Sequence, residues 1–163
     1  MREKKRLLRF IISVSIPLLA GFIGSFFTTP NIEPWYDLLN KPPLTPPGSL
    51  IGIVWTILYI LIGIALFMVW EKREKRKGLN EDKKKAFWIF GIQITLNSMW
   101  SMFFFGLRNS WLGLMIIIPL LITIIINIIF FYKIDKKAAY LMVPYLIWVS
   151  FATYLNIGLA ILN

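Results

Sequence analysis

Residues 35–59 read WYDLLNKPPLTPPGSLIGIVWTILY, and this stretch decides the fold. Its first half is dense in proline; its second half opens an uncharged run of twenty-two residues from Ser49 to Trp70. Proline fixes φ and biases the residue before it towards extended backbone, so the first half predicts an ordered, largely non-helical connection. At 1.5 Å of rise per residue the uncharged run is long enough to cross the ~30 Å hydrocarbon core of a bilayer as a helix. Trp55 and Tyr59 stand one turn apart near its start. The stretch therefore predicts a stiff, aromatic lid joined to the first wall of a ligand pocket.

Working outwards, the basic segment MREKKRLLR precedes an uncharged run from Phe10 to Thr29. The apolar part of a secretory signal is usually ~7–15 residues and ends in small-x-small, which Ser25 to Thr29 does not offer, so an uncleaved first helix is expected. Pro17 should bend it, and Ala20, Gly21, Gly24 and Ser25 give it a small-residue face for close helix packing. Ala86–Leu107, Trp111–Tyr132 and Ala138–Leu162 complete the spans, with Pro119 and Pro144 expected to kink or locally unwind the last two. The predicted class is all-α: one membrane domain over residues 1–163 with five transmembrane helices (10–29, 49–70, 86–107, 111–132, 138–162) and a lid connection, 30–48, that holds six of the nine prolines.

Composition agrees with that class and excludes others. The chain is 58% hydrophobic and 16% aromatic, with a mean hydropathy of +0.69, beyond the ~45–50% apolar share of soluble domains. Cysteine and histidine are both absent, which removes Ser-His and Cys-His nucleophile pairs, the usual zinc sites and the commonest haem ligands. No metal and no resident cofactor is expected. The net charge of +10 reads as loop charge rather than a nucleic-acid surface. Five Lys/Arg precede the first span, eight lie in the 71–85 loop and three in 133–137, whereas Lys41 and Arg108 stand alone on the other side. The asymmetry predicts a cytoplasmic N-terminus, an external C-terminus and an external lid.

Inside the spans no charged residue lies deep, which argues against proton relays and ion-coupled pumps. Neutral polar residues and tryptophans remain. Gln93, Asn97, Trp100 and Ser101 fall on one face of the third helix; Trp148, Ala152, Leu155 and Asn156, with Tyr145, on one face of the fifth; Trp55, Tyr59, Ile62 and Gly63 on one face of the second. The alternative is that the amides only glue helices and the tryptophans form interfacial belts. That alternative suits Trp35, Trp70, Trp88 and Trp111 at the span ends, whereas Trp55, Trp100 and Trp148 lie too deep for a belt. A flat, largely apolar ligand fits such walls, with Lys41 or Arg108 the only cations near the outer mouth.

These residues resemble the translocator protein family, also called tryptophan-rich sensory proteins or peripheral benzodiazepine receptors, in a bacterial-type form. The matching features are Trp35-Tyr36, Lys41-Pro42, Pro46-Pro47, Val54-Trp55 and Leu58-Tyr59; then Gln93, Leu96-Asn97, Trp100 and Phe104-Phe105-Gly106; then Pro144-Tyr145-Leu146-x-Trp148 and Phe151-Ala152-Thr153-x-Leu155-Asn156. The resemblance implies an integral protein of the bacterial cytoplasmic membrane, usually a homodimer, that binds porphyrins such as protoporphyrin IX and benzodiazepine-type or isoquinoline-carboxamide ligands under the first connection as receptor, sensor or transporter. It implies a site of Tyr36, Pro46, Trp55, Asn97, Trp100, Ser101, Trp148, Ala152 and Leu155. It also implies an alternative, enzymatic light- and oxygen-dependent degradation of protoporphyrin IX, with Trp55 and Trp148 as the catalytic residues. Two departures stand out. Leu44 and Ser49 replace tryptophans frequent in animal members, and the tail from Ile157 to Asn163 lacks the Tyr and the cation of the proposed cholesterol motif.

Overall fold

The computed structural model describes residues 2–73 and 77–163, with Arg2 and Ser49 described by their backbone only. Among the described residues five α-helices form: α1 Arg2–Thr28, α2 Gly48–Glu71, α3 Leu79–Ser101, α4 Ser110–Ile134 and α5 Lys136–Leu162. A π-helical segment, Met102–Gly106, continues α3, and two 3₁₀ turns, Thr29–Asn31 and Tyr36–Leu38, lie in the lid connection. There is no strand among the described residues.

The helices run further than the uncharged runs, because helix propensity does not stop where lipid does. α1 takes in most of the basic N-terminal segment, and α3 begins at Leu79, so the second half of the expected 71–85 loop is helical; residues 74–76 of that loop lie outside the described residues. The two tight connections have a local cause. Asn109 accepts hydrogen bonds from the backbone N–H groups of Trp111 and Leu112, each at 3.0 Å, and Asp135 accepts from those of Lys137 at 2.9 Å and Ala138 at 3.3 Å. Each side chain caps the helix that follows it. α4 and α5 stay α-helical through Pro119 and Pro144, so that of the kink or local unwinding expected there the unwinding does not occur.

The helices close into a ring in the order α1–α2–α5–α4–α3, each packed against two neighbours. Ile62, Ala65, Val69, Ile124, Met142 and Val149 fill its centre, and Phe90 stacks on Phe131 with ring centroids 6.3 Å apart. Gln93 and Asn127 meet in this core, the Asn127 amide donating to Gln93 Oε1 at 3.2 Å. The ring's outer surface is apolar, with Leu19, Ile23, Ile57, Ile122 and Ile147 all exposed, as a lipid-facing surface must be. Four of the five helices are long and apolar enough to cross a membrane. α3 is less so, because its first turns carry Glu81, Asp82 and three lysines and its apolar run ends in the π segment.

The basic segments gather at one end of the ring. Arg9 Nη1 donates to Glu71 at 2.6 Å and Lys72 Nζ lies 3.4 Å from Asp135. The lid covers the opposite end, where Arg108 Nε donates to Asn31 at 2.8 Å.

Candidate functional site

Beneath the lid the ring encloses a cavity of about 460 Å³, walled by α1, α2, α3, the π segment and α5; among the described residues none of α4 lines it. Its floor is set by one amide. Asn97, almost wholly buried, accepts from Tyr59 Oη at 2.6 Å and donates through Nδ2 to Tyr145 Oη at 3.0 Å, so α2, α3 and α5 are tied together at one depth. Both phenol oxygens are thereby paired with one side chain, Tyr59 as donor and Tyr145 as acceptor.

Aromatic rings form the walls. Trp55 stacks on Tyr59 with centroids 5.5 Å apart, stands 6.5 Å from Trp100 and meets Tyr145 edge-on at 6.1 Å. Trp100 stacks on Phe104 at 5.2 Å while its indole N–H donates to Asn156 Oδ1 at 3.0 Å. Asn156 in turn donates to the Ser110 carbonyl at 2.7 Å, which fixes α5 against the start of α4. The π segment's extra residue per turn helps turn Phe104 and Phe105 inwards, a common device at functional sites. Trp148 differs from Trp100: its Nε1 is buried and has no hydrogen-bond partner among the described residues. A buried N–H without an acceptor is costly, by about 1–3 kcal/mol, and this one belongs to a residue that lines the cavity.

The lid is an ordered element. Tyr36 is buried 5.5 Å from Phe105, Trp35 lies 5.3 Å from Phe104, and Lys41 Nζ sits 4.9 Å above the Tyr36 ring. Burial, and secondarily the neighbouring Asp37 carboxylate, raises the Tyr36 phenol above its ordinary pKa, so it stays a neutral donor. The far side of the lid is clasped to α5. The Asn40 N–H donates to Asn163 Oδ1 at 2.9 Å, Asn163 Nδ2 donates to the Asn40 carbonyl at 3.1 Å, and Tyr154 Oη donates to the Pro43 carbonyl at 3.2 Å.

Of the nine residues expected at the site, the structure brings Tyr36, Trp55, Asn97, Trp100, Ser101, Trp148, Ala152 and Leu155 to this cavity; Pro46 does not line it. The chain reverses before Pro46, with Leu44 left-handed at φ 68° and Thr45 Oγ1 donating to the Pro42 carbonyl at 2.7 Å, so Gly48 reaches the cavity instead. Gln93 sits deeper, in the α3–α4 core, although it shares a helical face with Asn97. Trp35 is packed on Phe104, whereas Trp88 and Trp111 are exposed. Lys41 and Arg108 are engaged elsewhere, on Tyr36 with Asp37 and on Asn31, and neither lines the cavity. The contribution of α1, chiefly Leu18, Gly21, Phe22 and Ser25, was not anticipated. Its small-residue face was legible, but nothing in the sequence distinguished a packing face from a cavity wall.

This pairing of aromatic stripes on α2, α3 and α5 around one amide coincides with the match of residues 13–162 to the model of the TspO/MBR family. The chain belongs to the TspO/MBR family. It is 42% identical over 158 residues to the Tryptophan-rich protein TspO of Archaeoglobus fulgidus, covering 96% of this chain and 98% of the relative. It is 39% identical over 163 residues to the protein of the same name in Chlorobaculum tepidum, covering 98% of each. The human Translocator protein is 31% identical over 140 residues, 86% of this chain and 81% of its own. As a TspO/MBR protein with four helices apolar enough to span, it is an integral membrane protein.

Proposed function

We propose that this TspO/MBR protein binds a tetrapyrrole such as protoporphyrin IX, and synthetic ligands of benzodiazepine or isoquinoline-carboxamide type, in the cavity under the lid, acting as a sensor or transporter. The observation that carries the reading is the aromatic lining of the cavity, with Trp55 stacked on Tyr59 and standing 6.5 Å from Trp100. Aromatic faces supply contact area to a flat ring, and polar side chains on the same walls, Ser101 among them, orient it. The volume falls within the ~300–1,000 Å³ typical of small-molecule sites. The basic end is assigned to the cytoplasm and the lid to the outside by the positive-inside rule, and the family resemblance implies a homodimer, which light scattering of the solubilised protein tests. Titration with protoporphyrin IX should quench tryptophan fluorescence saturably, and Asn97→Ala combined with Trp148→Ala should weaken it. Unsaturable quenching that ignores both substitutions overturns the reading.

A second reading, light- and oxygen-dependent degradation of bound protoporphyrin IX, is supported by the Trp55 contacts with Tyr59 and Trp100. An indole that gives an electron to an excited porphyrin has two aromatic neighbours over which the remaining charge can spread. Trp55 and Trp148 would be the reacting residues.

A further inference from the structure

α1 and α2 touch backbone to backbone at one level and part company above it. A Cβ on Gly63 would stand 2.7 Å from Val14 Cα and 3.0 Å from the Ser13 carbonyl oxygen, so glycine is what permits that contact. About two turns nearer the lid, Gly21 lies directly against the Tyr59 ring. Beyond this level α1 leans on α3 instead, with a Cβ on Gly24 2.9 Å from Ser101 Oγ, while a Cβ on Gly52 or Gly48 of α2 would meet nothing within 4 Å. Phe22, Ser25, Thr29, Gly48, Gly52 and Thr56 all line the cavity and are all exposed. The cavity wall therefore has an opening on the ring's outer surface, between two helices whose outward faces are apolar.

The rim suits an apolar traveller. Ser25 Oγ donates to the Phe22 carbonyl at 2.6 Å and Thr56 Oγ1 to the Gly52 carbonyl at 2.9 Å, so both hydroxyl donors are closed onto their own helices. The lid offers the costlier way in. Raising it breaks the two-way Asn40–Asn163 amide pair, the Tyr154–Pro43 bond and the packing of Pro42 on Gly158.

We propose that the cavity is loaded and emptied sideways, from the bilayer, through the α1–α2 opening, by a flat apolar ligand dissolved in the membrane, while the lid stays shut. This rests on the ligand-binding reading above. The chain has no cysteine, so Ser25→Cys with Gly52→Cys supplies the only thiols. The pair is bridged in lipid vesicles with a thiol-specific linker carrying a reducible disulfide, the bridge is verified by mass, and protoporphyrin IX binding and release are followed by tryptophan quenching in stopped flow. Bridging should slow association and dissociation together, each at least tenfold, and reduction of the linker should restore both. Unchanged rates in the bridged protein overturn the proposal, as does slower association with unaltered dissociation, which marks a damaged site rather than a closed route. Faster exchange in Asn40→Ala or Asn163→Ala with no effect of the bridge assigns the route to the lid instead. Absence of saturable quenching in the unbridged wild type is a different result, and overturns the ligand reading before the route is tested.

Discussion

Tyr59 Oη and Asn97 Oδ1 lie 2.6 Å apart, and the same Asn97 amide donates to Tyr145 at 3.0 Å. One side chain on α3 therefore satisfies phenols on two other helices, at the depth where the cavity begins. Replacing Asn97 by Leu keeps bulk but strands the buried Tyr145 hydroxyl, at a cost of about 1–3 kcal/mol. The thermal unfolding midpoint in detergent should fall by several degrees, and Tyr145→Phe added to Asn97→Leu should recover part of the loss. No recovery shows that Asn97 stabilises by packing alone.

Trp148→Phe keeps an aromatic wall and removes the unpaired N–H. The midpoint of thermal unfolding of the empty protein should hold or rise, since a buried donor without a partner among the described residues has gone. A fall of several degrees instead shows that the packing of the larger indole outweighs its unpaired N–H.

Gly63→Val forces a branched side chain against the Val14 backbone. Overpacking of this kind costs about 1–3 kcal/mol, so thermal unfolding should shift down. Gly52→Ala, whose Cβ meets open space, should leave the midpoint level or raise it. Equal losses in the two variants refute the close approach at Gly63.

Illumination separates binding from degradation. Under the binding reading, protoporphyrin IX bleaches no faster with the protein than in detergent, with or without oxygen. Oxygen-dependent bleaching by the wild type that disappears in Trp55→Phe and Trp148→Phe while binding is retained establishes the enzymatic reading in its place.

Lys83 Nζ donates to the Trp70 carbonyl at 3.0 Å and the Lys72 carbonyl at 2.5 Å, closing the end of α2. Burial lowers its pKa below the ordinary lysine value, against the opposing pull of Glu71. The charged form is thus disfavoured in the folded state, and the unfolded chain binds more protons in the window below about 10.4. Stability relative to Lys83→Gln should therefore rise as pH climbs from neutral towards that value, measured as the difference between the two unfolding midpoints. A difference that shrinks over the same range refutes the assignment.

The sequence by itself determined the class, the five helices and the aromatic and polar stripes of α2, α3 and α5 that face the cavity. Uncharged runs of twenty residues or more leave the backbone few choices in lipid other than a helix, and the 3.6-residue period alone places Trp55, Asn97, Trp100, Trp148 and Ala152 on shared helix faces. Tertiary packing decided what periodicity cannot see. Gln93 and Asn97 share a face, yet only Asn97 reaches the cavity, because depth within the ring and the facing helix determine each partner: Asn127 for one, Tyr59 and Tyr145 for the other. Pro46 stands off the wall because the chain reverses at Leu44 in a left-handed conformation that no pattern of leucines announces. The glycines of α1 and α2 were legible as small residues, but which of them seal the ring and which leave it open depends on the angle at which two helices cross, and that angle is set by all five together.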